Sequence, residues 1–205
     1  MVPLVSRDVV LAPRCAGCGE PGAWFCITCR DLCEPVSRVR PLGIYGAGVH
    51  AGPLRDAIHR LKYRAEPGLA EELGALVALE VARNLAAGAV IDVVVPVPLH
   101  RSRAASRGYD QAALLARAVA LRVGLPIRSP LRRLRQGTPQ VELDRTARAA
   151  NVRGAFVAEA AALRGLSVAL VDDVVTTGAT LADAAAAARA AGARVVNGYV
   201  VAIDE

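Results

Sequence analysis

VALVDDVVTTGAT, residues Val168–Thr180, is the stretch of sequence that decides the fold of this chain. The apolar run Leu166–Val171 predicts a buried strand, and the Ala-rich run Gly178–Ala191 predicts a helix. The first N–H groups of a helix have no partner within it, and the helix dipole is positive there. A phosphate bound at that point accepts several N–H bonds, so the turn is a candidate phosphate site. The candidate phosphate- and ribose-binding residues are Val174, Val175, Thr176, Thr177, Gly178, Ala179 and Thr180.

Two adjacent carboxylates, Asp172 and Asp173, stand between the predicted strand and this turn. Ionised carboxylates accept hydrogen bonds from hydroxyl groups, so the pair suits the vicinal diol of a ribose whose phosphate lies one turn away. The competing interpretation is an ordinary Asp N-cap in a tight strand-to-helix turn, which is common. The strand, the paired acids, the Thr-rich turn and the helix in this order favour a phosphoribosyl ligand. Asp172 and Asp173 are therefore the candidate catalytic residues.

Strands and helices alternate on both sides of this stretch, which predicts an α/β fold with a largely parallel sheet. The predicted strands are Leu42–Val49, Ile91–Val97, Leu166–Val171 and Arg194–Ile203, and the predicted helices are Pro53–Tyr63, Pro67–Leu85, Tyr109–Val123 and Gly178–Ala191. Ligands of such sheets bind beyond the carboxyl ends of the strands. Two segments meet that condition, namely Pro96–Gln111 and Asp172–Thr180.

The charge of the chain favours an anionic partner. Its 205 residues carry a net charge of +6, and twelve arginines fall between Arg101 and Arg153 against three acidic residues. The phosphates of a small molecule or of a nucleic acid both match such a field. The length fits one domain with a small appendage. No apolar run is long enough to span a bilayer, so we expect a cytoplasmic protein without membrane insertion.

Five cysteines are confined to the N-terminal region between Cys15 and Cys33. Cys15, Cys18, Cys26 and Cys29 form two Cys-x-x-Cys pairs, and four thiolates at this spacing predict a structural Zn²⁺ site. Redox-active cysteines are the main alternative. Cys33 is a spare thiol in this interpretation, although it could replace one of the four. A composition shift places a domain boundary near residue 40, with a zinc-ribbon-like module at 1–40 and a second domain at 41–205.

The sequence resembles the type I phosphoribosyltransferases and, more closely, the ComF family of competence-associated proteins, which combine a zinc module with such a domain. The likeness covers nearly the whole chain and rests on the paired cysteines, Leu61-Lys62-Tyr63, Val95-Pro96-Val97-Pro98-Leu99-His100, Arg107-Gly108-Tyr109-Asp110-Gln111, Thr138-Pro139-Gln140, Arg148 with Asn151, and Val171–Thr180. Two positions depart from the pattern. Asp110 stands where Asn is expected, which adds a negative charge beside the expected pyrophosphate site, and Cys33 stands where Pro is usual.

The resemblance implies roles for the basic segments. The loop after the second strand is expected to receive pyrophosphate, with Pro98, Leu99, His100, Arg103 and Arg107 as its candidate residues. Lys62 is expected to place a point charge at a phosphate. The stretch Leu131–Phe156 suits a mobile lid, with candidates Arg133, Arg135 and Gln140, that would keep water from the reacting ribose. The alternatives are a solvated basic loop, an exposed helix lysine and an ordinary surface loop.

The implied activity is that of a phosphoribosyltransferase that uses phosphoribosyl pyrophosphate with Mg²⁺ and an unknown acceptor. The alternative is a module that senses this ligand without catalysis, or that associates with single-stranded DNA or competence proteins. The arginine excess supports DNA binding, whereas the scarcity of aromatic residues argues against a base-stacking platform. A homodimer is compatible with the sequence, which does not identify the acceptor.

Overall fold

The computed structural model describes residues 12–36, 43–134 and 154–204. The helices are α1 (Ile27–Asp31), α2 (Gly52–Tyr63), α3 (Leu69–Ala86), α4 (Arg101–Arg107), α5 (Gln111–Val123) and α6 (Ala179–Ala190). The strands are β1 (Ile44–Val49), β2 (Val93–Pro96), β3 (Leu131–Arg133), β4 (Phe156–Ala158), β5 (Ser167–Val175) and β6 (Val195–Ile203). Among these residues, no helix combines the length and the apolar character that a membrane span requires.

The central sheet has the strand order β1-β6-β5-β2, and all its strands are parallel. Val49, Ile203 and Val175 lie level with one another across β1, β6 and β5. The carboxyl ends of these strands therefore share one edge of the sheet. This edge is where the ligand was expected.

Helices cover both faces of the sheet. Successive side chains of a strand point to opposite faces, so a continuously apolar strand has apolar side chains to bury on each of them. On β5, Ala169 and Val171 pack with α2, α3 and α5, whereas Val168 and Leu170 pack with α6. The antiparallel pair β3 and β4 forms a separate two-stranded sheet on the α6 side. The buried strands are continuously apolar, which is the pattern of a parallel sheet covered on both faces.

Two local predictions were wrong. Strand β5 does not end at Val171 but continues to Val175, because β6 pairs with it as far as Ile203. The basic segment after β2 is a helix, α4, and not a loop. The His100 side chain accepts a bond from the Ser102 N–H at its start, and Gly108 ends it in a left-handed conformation. The predicted lid Leu131–Phe156 stays a prediction: its two ends lie in the paired strands β3 and β4, and residues 135–153 lie outside the described residues.

The cysteine-rich segment packs directly on the rest of the chain. Cys15, Phe25 and Cys29 are buried in the same apolar core as α2 and α3. Arg60 of α2 donates to the Cys15 carbonyl at 3.1 Å. The domain boundary at residue 40 stays a prediction, and the described residues on its two sides share one core.

Candidate functional site

The two acids of the motif lie on β5, near the carboxyl edge of the sheet. Asp173 is 8% exposed, and its Oδ1 lies 2.7 Å from Nζ of Lys62 in the last turn of α2. An ion pair of this kind neutralises a carboxylate that would be costly to bury alone. Lys62 thus contacts the acid pair in the ligand-free structure.

Asp172 is partly exposed and differs from Asp173 in its electrostatics. Burial of the carboxyl group and the neighbouring charge of Asp173 raise the pKa of Asp172 to about 8. The N–H of Asp173 donates to Asp172 Oδ1 at 2.8 Å, and this bond together with the charge of Lys62 offsets part of the rise. One of the two adjacent acids is therefore protonated over part of the neutral pH range.

The turn after β5 leads into α6 through a left-handed glycine. Gly178 is the N-cap of α6 with φ 81°, a conformation that favours glycine. Thr176 and Thr177 are exposed, and Thr177 Oγ1 accepts from the Ala179 N–H at 3.4 Å. A Cβ placed on Gly178 would meet only Ile44 Cδ1, at 3.7 Å. The backbone at the start of α6 is therefore open to a close approach.

Asp110 links the end of β2 to the start of α5. Its Oδ2 accepts from the Leu99 N–H at 3.0 Å, and its Oδ1 accepts from the Ala113 N–H at 3.1 Å. The second bond makes Asp110 the N-cap of α5. Both carboxylate oxygens of Asp110 therefore accept backbone hydrogen bonds. Through them Asp110, which stands where Asn is expected, holds the segment Pro98–His100 against the start of α5.

A pocket of about 510 Å³ opens beside the acids, and Lys62, Tyr63, Ala65, Ser106 and Arg107 line it. The Arg107 guanidinium carbon lies 5.0 Å from the centre of the Tyr63 ring, a cation–π distance. This contact brings α4 to the end of α2, so Lys62 and Arg107 face one pocket although 45 positions (107 minus 62) separate them in the sequence.

The four cysteines of the two Cys-x-x-Cys pairs form one cluster, with all four Sγ atoms within 4.8 Å of one another. Cys26 Sγ lies 3.5 Å from Cys15 Sγ and 3.7 Å from Cys18 Sγ. Tetrahedral Zn–S bonds of about 2.3 Å place sulfurs about 3.8 Å apart, so the cluster fits a four-thiolate metal site. Although burial opposes ionisation, backbone N–H donors lower the pKa of Cys15 to about 6. Cys33 lies outside the cluster, and its thiol donates to the Cys29 carbonyl at 3.3 Å.

Comparison with known proteins gives the family. No protein-family model matches the chain. A DNA utilization protein of Salmonella typhimurium, YhgH, is 33% identical over 185 residues, which cover 88% of this chain and 78% of that protein. Competence protein F of Haemophilus influenzae is 27% identical over 180 residues, which cover 85% and 78% of the two chains. The chain belongs to the ComF family.

The α/β architecture predicted for this ComF-family chain is confirmed, namely a parallel central sheet flanked by helices and an N-terminal four-cysteine cluster. Among solved structures, glutamine phosphoribosylpyrophosphate amidotransferase from B. subtilis aligns over 69% of the ComF-family chain, with 23% identity and a TM-score of 0.47. The chain spans 30% of the length of that enzyme.

The ComF-family structure brings some of the predicted site residues together. Lys62 contacts Asp173, and Arg107 shares the adjacent pocket with Lys62. Arg133 lies on β3, with its guanidinium carbon 5.2 Å from the centre of the Phe156 ring. Residues Arg135 and Gln140 lie outside the described residues, as do Arg148, Asn151 and the side chain of Arg103.

His50 was not among the candidate residues predicted for this ComF-family chain. It follows β1 at the carboxyl edge of the sheet, where its N–H donates to the Ile203 carbonyl at 2.8 Å. Burial, followed by the charges of Lys62 and Arg55, lowers the pKa of His50, and Asp204 and Asp173 oppose that shift. The imidazole is therefore neutral near neutral pH and lies within electrostatic reach of the acids. The feature of the sequence that could have indicated His50 is its position directly after the predicted strand Leu42–Val49.

Proposed function

We propose that this chain binds phosphoribosyl pyrophosphate and transfers its phosphoribosyl group to an acceptor. The observation that carries the proposal is the exit of β5, where Asp172 and Asp173 precede a turn whose backbone is open at the start of α6. The turn suits the terminal phosphate of the sugar, and the acids suit the two ring hydroxyls. The basic pocket between α2 and α4 then suits the pyrophosphate.

In the proposed reaction, the bond between C1 of the ribose and the pyrophosphate oxygen breaks, and its electron pair leaves with the pyrophosphate. A nucleophile of the acceptor forms the new bond to C1. Arg107 stabilises charge that develops on the leaving group, and the carboxylate of Asp173 holds the ribose hydroxyls. Lys62 exchanges its contact with Asp173 for one with the ligand phosphates. Mg²⁺ bound with the substrate would neutralise charge on the pyrophosphate, with most of its ligands supplied by the substrate itself.

We also propose that the four-cysteine cluster holds Zn²⁺. Four thiolates fill a tetrahedral site and leave no open position for a substrate, so the ion would have a structural role. The cluster also helps to hold α2, the helix that carries Lys62, because Arg60 of α2 donates to the Cys15 carbonyl.

Gly178→Val is expected to lower the affinity for Mg²⁺-phosphoribosyl pyrophosphate about 10- to 100-fold, measured by isothermal titration calorimetry, because a side chain at this left-handed position distorts the phosphate turn. Gly124→Val is the matched control, since Gly124 also has a left-handed φ, of 68°, and open space around it. Equal affinities of wild type and Gly178→Val, or failure of wild type to bind, would refute the proposed ligand.

A second candidate function is binding of single-stranded nucleic acid, and the position of Tyr63 favours it. The Tyr63 side chain is 64% exposed, between the His59 ring at 4.8 Å and the Arg107 guanidinium at 5.0 Å. An exposed ring with basic neighbours is a stacking platform for a base, which the scarcity of aromatic residues had argued against. The names of the relatives, DNA utilization protein and competence protein, agree with this candidate.

Tyr63→Ala is expected to weaken binding of a labelled oligothymidine about 5- to 100-fold in fluorescence anisotropy, because a stacked base is worth about 1–3 kcal/mol. Wild-type affinity should fall steeply between low and physiological salt. Leu121→Ala, at an exposed apolar position on α5, serves as control. A salt-independent affinity, or equal binding by Tyr63→Ala and wild type, would exclude this second function.

A further inference from the structure

Asp183 of α6 accepts three backbone hydrogen bonds from the residues that lead into β4. Its Oδ1 accepts from the Gly154 N–H at 2.7 Å, and its Oδ2 accepts from the Ala155 and Phe156 N–H groups at 2.8 and 3.1 Å. Three consecutive N–H groups around a residue with left-handed φ, here Gly154 at 72°, form an anion-binding nest. The carboxylate of Asp183 fills this nest, and Ala155 and Phe156 are buried beneath it.

The same helix begins at the candidate phosphate turn. Asp183 is four residues after Ala179, the first residue of α6, so about 6 Å along the axis separate its position from the helix start. The β3–β4 sheet pairs with no strand of the central sheet among the described residues. Asp183 therefore joins this small sheet to the helix whose N-terminus would hold the terminal phosphate.

Arg133 is the charged residue that this attachment positions. It pairs with Phe156 across β3 and β4, and its guanidinium lies over the Phe156 ring. Ile127, just before β3, pairs in parallel with Val94 of β2. Residues 126–128 therefore run beside Val94 in the same direction as β2, which leads to Pro98–His100, the candidate pyrophosphate segment. A contact path connects Asp183 to the Phe156 backbone, and the Phe156 ring to Arg133.

We propose that Asp183 is a positioning residue that fixes Arg133, through the backbone of Phe156, for contact with the pyrophosphate end of the ligand. The proposal rests on the proposed function, because it concerns the same ligand. Asparagine offers one acceptor oxygen where the carboxylate offers two, and it places an NH₂ group against a backbone donor. Asp183→Asn thus releases part of the nest and lets β4, and Arg133 with it, shift relative to α6.

Two probes separate positioning from a general structural role. Ribose 5-phosphate tests the phosphate turn alone, whereas Mg²⁺-phosphoribosyl pyrophosphate also tests the pyrophosphate end. Calorimetric titration of Asp183→Asn is expected to give about 10-fold weaker binding of phosphoribosyl pyrophosphate and a change below about 2-fold for ribose 5-phosphate. Asp92→Asn is the matched control, because Asp92 also accepts a backbone bond, from Ser167 at 2.7 Å, but at the amino-terminal edge of the sheet.

A double-mutant cycle with Arg133→Ala tests whether Asp183 acts through Arg133. Arg133→Ala is expected to weaken binding of phosphoribosyl pyrophosphate about 10-fold, and adding Asp183→Asn to weaken it less than about 2-fold further. Additive losses, equal losses for both probes, or unchanged affinity of Asp183→Asn would each overturn the positioning role while wild type still binds. If wild type binds neither probe, the proposed function fails first and the inference falls with it.

Discussion

Cys29→Ser is expected to remove bound Zn²⁺ and to lower the free energy of unfolding by about 4–5 kcal/mol, which corresponds to a decrease in Tm of roughly 10 °C. The Cys29 side chain is buried, and its Sγ is one of the four that could hold the ion. Loss of one thiolate opens the tetrahedral site. Because Cys15, Phe25 and Cys29 share the core of α2 and α3, the effect should spread beyond the cysteine-rich segment.

Zinc content by mass spectrometry and thermal unfolding by circular dichroism, on the same samples, test this expectation. Cys33→Ser is the matched control, since Cys33 lies outside the cluster and its thiol bonds only the Cys29 carbonyl among the contacts described. It should retain one equivalent of Zn²⁺ and lose less than about 1 kcal/mol. Equal zinc loss in both variants, or an unchanged Tm for Cys29→Ser, would contradict a structural four-thiolate site.

Local sequence pattern was sufficient to predict the order of the main strands and helices. Continuous apolar runs predicted β2 and the first part of β5, because this pattern depends only on residues that are close in the sequence. The limit of β5 was missed for a different reason. Whether the strand ends at Val171 or at Val175 depends on how far β6 continues beside it, and that is not a property of the β5 sequence.

Contacts between distant residues were the part that the sequence left open. Lys62 was expected to contact a phosphate, and its pairing with Asp173 in the ligand-free chain follows from where α2 ends relative to β5. Asp183 was absent from the candidate residues, because an Asp in an Ala-rich helix has no local feature that marks it. Its three partners lie at the start of β4 and just before it, nearly thirty residues away.

Asp172→Asn is expected to change ligand affinity and stability in opposite directions. At about pH 9, where Asp172 is ionised, the affinity for Mg²⁺-phosphoribosyl pyrophosphate should fall about 10- to 100-fold, since hydrogen bonds from hydroxyls to a charged group are worth about 1.5–3 kcal/mol. The ligand-free protein should become more stable at pH 8, because a carboxyl group with a pKa raised to about 8 by burial and by Asp173 costs free energy when it ionises.

The sign of the pH dependence is opposite to that of a salt-bridged Asp. The native state keeps a proton on Asp172 between its unfolded pKa, about 4, and its native pKa of about 8, while the unfolded chain has lost it. Stability of wild type therefore falls as pH rises through this window. The gain from Asp172→Asn should grow from near zero at pH 4 to about 1–3 kcal/mol at pH 8, a value reduced because Asp172 is partly exposed.

Urea unfolding of both proteins at several pH values between 4 and 9 measures this difference directly, and calorimetric titration on the same preparations measures the affinity. Asp56→Asn, at an exposed position on α2, should change neither quantity. A pH-independent difference in stability would mean that Asp172 ionises normally and faces water. Unchanged affinity would mean that it does not contact the sugar. Only loss of affinity together with a gain in stability that rises with pH fits a partly buried acid that is mostly protonated at neutral pH and binds the ribose hydroxyls in its ionised form.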